Sequence, residues 1–133
     1  MRLYRVGLFT DVYFPNPNGV TTSVYLLLRE LRRMGHEAWV IAPAHPEAPE
    51  NEEGVARVPS VAYPFYEGQQ IALPSARHLP TEFELVHTHT PLTLGVWGLR
   101  IARNKNLPHV PPSHTHHEKC AHYVPALAVL DRY

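Results

Sequence analysis

RVGLFTDVYFPNPNGVTTSVYLLLRELRRMGHEAWVIAP, Arg5 to Pro43, reads as buried strand, Pro/Asn/Gly loop, amphipathic helix, glycine stop and second buried strand. Tyr4 to Phe9 is a short apolar run suited to a strand covered on both faces. Residues 11–19, DVYFPNPNG, carry two prolines and two asparagines and are expected to be loop rather than helix. From Val20 to Met34 the apolar residues Val20, Val24, Leu27, Leu28, Leu31 and Met34 recur at three- and four-residue steps, which predicts a helix. Gly35 follows as its C-terminal stop, and Ala38 to Ala42 is the next strand. Together these form a βαβ unit, whose parallel strands need a crossover helix. In such a sheet the crevice beyond the strand C-termini is where ligands bind, and a helix N-terminus there favours anions.

Beyond this unit the chain continues in the same rhythm. Residues 43–54 read as a polar, acidic loop, and Val55 to Val58 as a third strand. Residues 59–80 read as a long irregular insertion bearing aromatic side chains. A loop of that length is either functional or hides further elements. Phe83 to His87 is a fourth strand. A second helix is expected over Leu92–Asn104, with Leu94, Trp97, Gly98 and Ile101 on one face. His109 to Ser113 is a fifth strand, weakened by Pro111 and Pro112. The tail VPALAVLDRY reads as the start of an apolar helix with no cap. It suggests the front part of a longer protein, or else a short protein that dimerises through that end.

The 133 residues suit one domain, and 44% hydrophobic content is ordinary for a globular chain. Twelve Lys and Arg balance twelve Asp and Glu, so nucleic-acid binding through bulk charge is not expected. A single cysteine, Cys120, excludes an internal disulfide and fits a reducing compartment. No run approaches the roughly 18 apolar residues of a membrane span, and Asp11 ends the first apolar run too early for a signal peptide. The expected location is the cytoplasm.

Three features carry chemistry. The loop Pro15-Asn16-Pro17-Asn18-Gly19 precedes the helix start Val20-Thr21-Thr22-Ser23, whose free N–H groups could hold a phosphate. Gly19 would let a ligand approach the backbone closely. This is neither a GxGxxG fingerprint nor a P-loop, and an ordinary βα turn reads equally well. Next, seven of the ten histidines lie after residue 86. His87 and His89 follow one strand, and His114, His116 and His117 follow another, both at the edge that carries the 15–19 loop. They could ligate a metal, with His87, His89, His114 and His116 as ligands of a hydrolase. They could instead orient a polar substrate without a metal. Third, Arg29, Arg32 and Arg33 share i, i+3, i+4 spacing. They either complement the helix C-terminus or attract anionic lipid head groups, at about 1 kcal/mol per residue near the surface.

Four segments resemble a known family. Asp11-Val-Tyr-Phe-Pro15 through Asn18-Gly19-Val20, and Val58-Pro59-Ser60 with Tyr63-Pro64 and Ala72-Leu73-Pro74, are similar to its opening unit and middle connector. FELVHTHTP, Phe83 to Pro91, is similar to its "D-hiHtH-P" strand, with Glu84 for the usual Asp. His114-Thr115 with Glu118 and His122-Tyr123-Val124-Pro125 is similar to its lipid-glycosyltransferase "YHT--E-Y-HY-P" run. The chain thus resembles the N-terminal domain of GT-B retaining glycosyltransferases of the family 4 type, and among them the bacterial diacylglycerol glucosyltransferases. Ser113, Lys119, Cys120 and Pro111-Pro112 depart from the pattern in the region that would shape the acceptor pocket.

The resemblance implies an α/β fold, a Rossmann-like parallel sheet with flanking helices, forming the N-terminal half of a GT-B enzyme. Residues 1–133 would be the acceptor-side domain, with the C-terminal donor-binding domain absent and the isolated domain inactive. The reaction implied is transfer of a hexose from a nucleotide sugar such as UDP-glucose to a lipid acceptor such as diacylglycerol, with retention and without a tightly bound cofactor or metal. Gly19 and Val20 would approach the donor diphosphate. His114 would face the transferred sugar. Asn18, His89, Thr115, Glu118, His122 and Tyr123 would line the acceptor cleft. Arg29, Arg32, Arg33 and the aromatic segment Tyr63 to Tyr66 would lie towards an anionic membrane surface. A non-catalytic lipid or sugar-phosphate binding module is the remaining reading.

Overall fold

Alternation along three strands decides the architecture. In the computed structural model, which describes residues 3–15, 19–49, 52–62, 70–73, 77, 79–90 and 93–111, these are β1 (Arg5–Phe9), β2 (Glu37–Pro43) and β6 (Leu85–Thr88). Val6 and Leu8 of β1 point to one side with Ala38, Val40 and Ala42 of β2 and Leu85 of β6. Phe9, Ile41 and Val86 point to the other. Both faces are therefore apolar, which requires cover on both sides. Helix α1 (Gly19–Arg33) covers the first through Val24, Leu27, Leu28 and Leu31. Helix α2 (Thr93–Lys105) covers the second through Leu94 and Ala102, with Trp97 and Ile101 packed alongside. The Phe9 ring meets Phe83 and Trp97 edge-on at 5.8 and 5.6 Å, a favoured aromatic geometry.

The main sheet also contains β3 (Val55–Val58) and β7 (His109–Val110). Its order is β3-β2-β1-β6-β7, with every neighbouring pair parallel. The chain moves outward from β1 through β2 and β3, then crosses back to β6 on the opposite side of β1. The order reverses between β1 and β6, and the C-terminal ends of these two strands frame the switch-point crevice. The α/β, Rossmann-like fold expected from the sequence is the fold observed.

Three expectations need correction. The 59–80 segment is not wholly irregular: β4 (Ser60–Ala62) and β5 (Gln70–Ala72) pair antiparallel, Ser60 opposite Ala72. Ser60 Oγ donates to the Ala44 carbonyl at 2.5 Å and ties this hairpin to the loop after β2. The fifth strand ends at Val110 rather than Ser113, because Pro111 and Pro112 offer no N–H to the ladder. Met34 is not core; it is 39% exposed, because the helix ends at Arg33 and the chain turns away from the apolar stripe.

The turn after α1 fixes a titratable group. Gly35 has φ 96°, and the His36 and Gly35 N–H groups donate to the Leu31 and Arg32 carbonyls at 3.1 and 3.0 Å. This is a Schellman closure, and the left-handed position explains the glycine. It buries His36, whose Nδ1 accepts the Tyr4 N–H at 3.1 Å while its ring stacks on Tyr4. Burial lowers the His36 pKa from its ordinary value. His109, whose Nε2 lies 2.8 Å from Thr88 Oγ1, is lowered too, by burial first and by the Arg103 charge second. Both groups bind a proton more readily unfolded than folded. Their neutral forms thus contribute stability that is complete above the unfolded value, near pH 6.5, and is lost as pH falls through the folded values. Thermal denaturation should show a Tm that is level above pH 7 and falls towards pH 5. In His36→Gln the fall should be shallower, and the variant should be weaker at pH 7.5 by about 1 kcal/mol from the lost Tyr4 bond.

Candidate functional site

Four buried polar residues, Thr10, Asp11, His89 and Thr90, follow directly on β1 and β6 and line the switch point. The two strand ends are laced together. Thr10 N–H donates to Ile41 of β2 at 3.0 Å, and His89 N–H donates to Phe9 of β1 at 2.9 Å. Asp11 then reaches across. Its N–H donates to Thr90 Oγ1 at 3.0 Å, and its Oδ2 accepts from the same hydroxyl at 2.6 Å. Its Oδ1 accepts the Leu94 N–H at 2.8 Å, with Oδ2 3.4 Å from the Gly95 nitrogen. A carboxylate from the β1 loop therefore caps α2, a helix with no acidic residue of its own in the first turn. In the sequence Asp11 shows only as the end of the first apolar run and as part of a family motif. Its role was hidden because its partners lie 79 to 84 positions away.

Helix α1 also has no acidic residue in its first turn, and Thr21, Thr22 and Ser23 there each have an interaction partner. Gly19 is its first residue and is exposed; Val20 is half-buried against the core. Among the described residues, a Cβ on Gly19 meets nothing within 4 Å. Packing against the described residues thus does not require a glycine here. The contrast with α2 is sharp. A Cβ on Gly95 would lie 1.6 Å from the Thr90 carbonyl oxygen, and one on Gly98 would lie 2.9 Å from Phe9 Cγ.

His87 and His89 occupy alternate positions and so share one side of β6. Both are buried, and their rings stack with centroids 3.9 Å apart and 29° between planes. Ring nitrogens carry their lone pairs in the ring plane. Two stacked imidazoles therefore direct them side by side rather than at one point, which does not suit shared coordination of an ion. The metal-hydrolase reading needed His87 and His89 to converge, and this arrangement goes against it. Among the described residues no group of three or more His, Cys, Asp or Glu could hold a metal ion.

The three arginines do not act alike. Arg29 is exposed, with its guanidinium carbon 5.7 Å from the Tyr25 ring centroid. Arg33 is exposed and paired with Glu30, which holds the Glu30 carboxyl below its ordinary range and raises the Arg33 pKa. Arg32 turns the other way, to Glu53 at 3.1 Å and to the face of Trp39. Glu84, the departure from the family pattern, accepts the Arg5 N–H at 3.0 Å and ties the residue before β6 to the start of β1. Asn18, Tyr63 to Tyr66, His114, Thr115, His116, Glu118, His122 and Tyr123 lie outside the described residues, as does the apolar tail. Among the described residues no helix is long and apolar enough to cross a membrane.

Known proteins share this chain's sequence at family level. The chain is 32% identical over 126 residues to the alpha-monoglucosyldiacylglycerol synthase of Streptococcus pneumoniae, covering 90% of this chain and 29% of that protein. It is 33% identical over 130 residues to the protein of the same name from Acholeplasma laidlawii, covering 92% and 33%. It is 36% identical over 116 residues to a GDP-mannose-dependent alpha-mannosyltransferase of Mycolicibacterium smegmatis, covering 80% and 31%. The chain thus spans about a third of the length of these relatives. The family model described as Glycosyltransferase Family 4 matches residues 17–132, which begin just before the α1 start and include β6, His89 and α2. With a parallel sheet and a switch-point crevice, the chain belongs to Glycosyltransferase Family 4.

Proposed function

We propose that this chain is the acceptor-side domain of a retaining glycosyltransferase that moves a hexose from a nucleotide sugar to a lipid acceptor such as diacylglycerol, with the nucleotide held by a second domain. The observation that carries the reading is Gly19. It is the exposed first residue of α1, and among the described residues no atom lies within 4 Å of where its side chain would be. A ligand atom can approach the Gly19 backbone closely, since no side chain stands there. Two of the relatives are named as diacylglycerol glucosyl enzymes, which favours the lipid acceptor. A third is named for GDP-mannose, so the sugar is open.

In the proposed step an acceptor hydroxyl oxygen bonds to the anomeric carbon as the bond from that carbon to the diphosphate oxygen breaks. The diphosphate leaves with the bonding pair, and the hydroxyl proton passes to a phosphate oxygen. Negative charge therefore grows on the diphosphate. N–H groups fixed at a helix start stabilise such charge without reorganising. On the family resemblance, His114 faces the sugar as positive charge develops there, and His89 lies beside the acceptor. The exposed Tyr25, Leu26, Arg29 and Arg33 of α1 suit an anionic, partly apolar surface, which supports peripheral contact with the membrane holding the lipid.

Gly19→Val tests the reading. Among the described residues nothing lies within 4 Å of the added Cβ, so urea denaturation should change by no more than about 0.5 kcal/mol. Transfer of glucose from UDP-glucose, or mannose from GDP-mannose, to diacylglycerol by the protein with its nucleotide-binding domain present should fall about 100-fold, within the range for loss of one oxyanion contact. Unchanged turnover in a folded Gly19→Val would overturn the phosphate role of this helix start.

A further inference from the structure

We infer that Arg57 is a positioning residue that holds the phosphate-facing loop in place without touching the phosphate. The inference rests on the reading of the α1 start given above. Arg57 sits on β3, opposite Ala42 of β2. Its Nε and Nη2 donate to the two oxygens of Glu52 at 2.7 and 2.8 Å. Its Nη1 donates to the Pro43 carbonyl at 3.0 Å, and its Nη2 donates to the Phe14 carbonyl at 2.6 Å. The guanidinium carbon also lies 5.6 Å from the Tyr13 ring centroid. One planar group thus joins the end of β2, the β2–β3 loop and the β1–α1 loop.

The contact is passed on to the helix. Phe14, whose carbonyl Arg57 holds, meets Tyr13 edge-on at 5.2 Å and Tyr25 of α1 at 5.6 Å. The β1–α1 loop is therefore fixed at both ends of its described part: Asp11 ties it to Thr90 and α2, and Phe14 ties it to Arg57 and α1. Burial, with the Glu52 charge second, pushes the Tyr13 pKa up to about 12, so its ring stays a neutral face beside the cation.

Two features separate a clamp from a phosphate ligand. The charge of Arg57 is matched by a bidentate carboxylate that is as buried as itself, with side-chain exposures of 16% and 14%. Its donors are also committed to four contacts, out of the five that a guanidinium offers. A lysine offers a point charge in place of the fork and cannot hold a carboxylate and two carbonyls together.

The experiment compares wild type, Arg57→Lys and Glu52→Gln in the protein with its nucleotide-binding domain present. Amide hydrogen exchange over residues 12–14 and the kinetics of transfer from UDP-glucose or GDP-mannose are measured together. In Arg57→Lys, exchange of the loop amides should rise about tenfold while β1 and β2 keep their protection. KM for the nucleotide sugar should rise about tenfold, with kcat reduced less. Glu52→Gln should move both readouts the same way, because it loosens the same clamp. Two results overturn the inference: loop exchange that is unchanged in Arg57→Lys, or a KM that falls in Glu52→Gln, as it would if releasing the guanidinium supplied a phosphate ligand. A wild-type protein that transfers no sugar with its nucleotide-binding domain present would count against the glycosyltransferase reading, and the exchange comparison would still decide whether Arg57 holds the loop.

Discussion

Replacing Gly95 by alanine is expected to destabilise the protein by about 3 kcal/mol or more, above the usual range for overpacking by a single methyl. A Cβ at this position falls 1.6 Å from the Thr90 carbonyl oxygen and 2.8 Å from its carbonyl carbon. Both atoms are backbone, so no rotamer change relieves the clash. Either α2 must lift away from the sheet or the residues after β6 must move. Lifting α2 opens the contacts of Leu94, Trp97 and Gly98 with Phe9 and its neighbours. Moving the β6 end pulls Thr90 off Asp11 and displaces His89. In each case the damage reaches the crevice as well as the core. Urea denaturation of Gly95→Ala beside Gly19→Ala measures this on one scaffold. Gly19→Ala places its methyl where no described atom lies within 4 Å and should be neutral or more stable by a few tenths of a kcal/mol. A Gly95→Ala midpoint close to that of Gly19→Ala would show that α2 does not approach Thr90 as described.

The two glycines show what sequence reading reaches and what it does not. Gly35 was legible because a helix-period stripe stopped just before it, and local rules tie such a stop to a left-handed residue. Gly95 was not, because its reason is a carbonyl in a different segment of the chain. The same division runs through the fold. Strands covered on both faces and two amphipathic helices announce themselves by composition and period, so the parallel sheet and its outer strand Val55–Val58 were readable. Strands β4 and β5 have three residues each, too short for any period to register. At the crevice, the closeness of His87 and His89 was readable, but neither the place of His87 inside β6 nor the stacking of the two rings was. Arg57 gave no sequence signal: a single arginine in a short strand looks like an exposed cation until its four partners are seen.

Asp11→Ala is expected to cost about 3–4 kcal/mol, comparable to breaking a buried charged pair. The change leaves the Leu94 N–H without its acceptor, weakens the first turn of α2 at Gly95, and removes the partner to which the Thr90 hydroxyl donates. Loss of an N-cap alone accounts for up to about 2 kcal/mol; stranding buried donors supplies the rest. Asp11→Asn separates geometry from charge. Its Oδ1 can still accept from Leu94, and its amide can donate to Thr90 Oγ1. It gives up the second acceptor oxygen and the attraction between a carboxylate and the helix start. About half the cost of the alanine variant should therefore remain. Thr90→Val supplies the cross-check. Because Asp11 and Thr90 bond to each other twice, through backbone N–H and side chain, the double variant should cost less than the sum of the singles by about 1 kcal/mol or more. Strict additivity in urea denaturation would mean that Asp11 and Thr90 act independently. The β1 loop and the β6 end would then not be locked across the switch point, and the crevice lined by Thr10, Asp11, His89 and Thr90 would lose its physical basis.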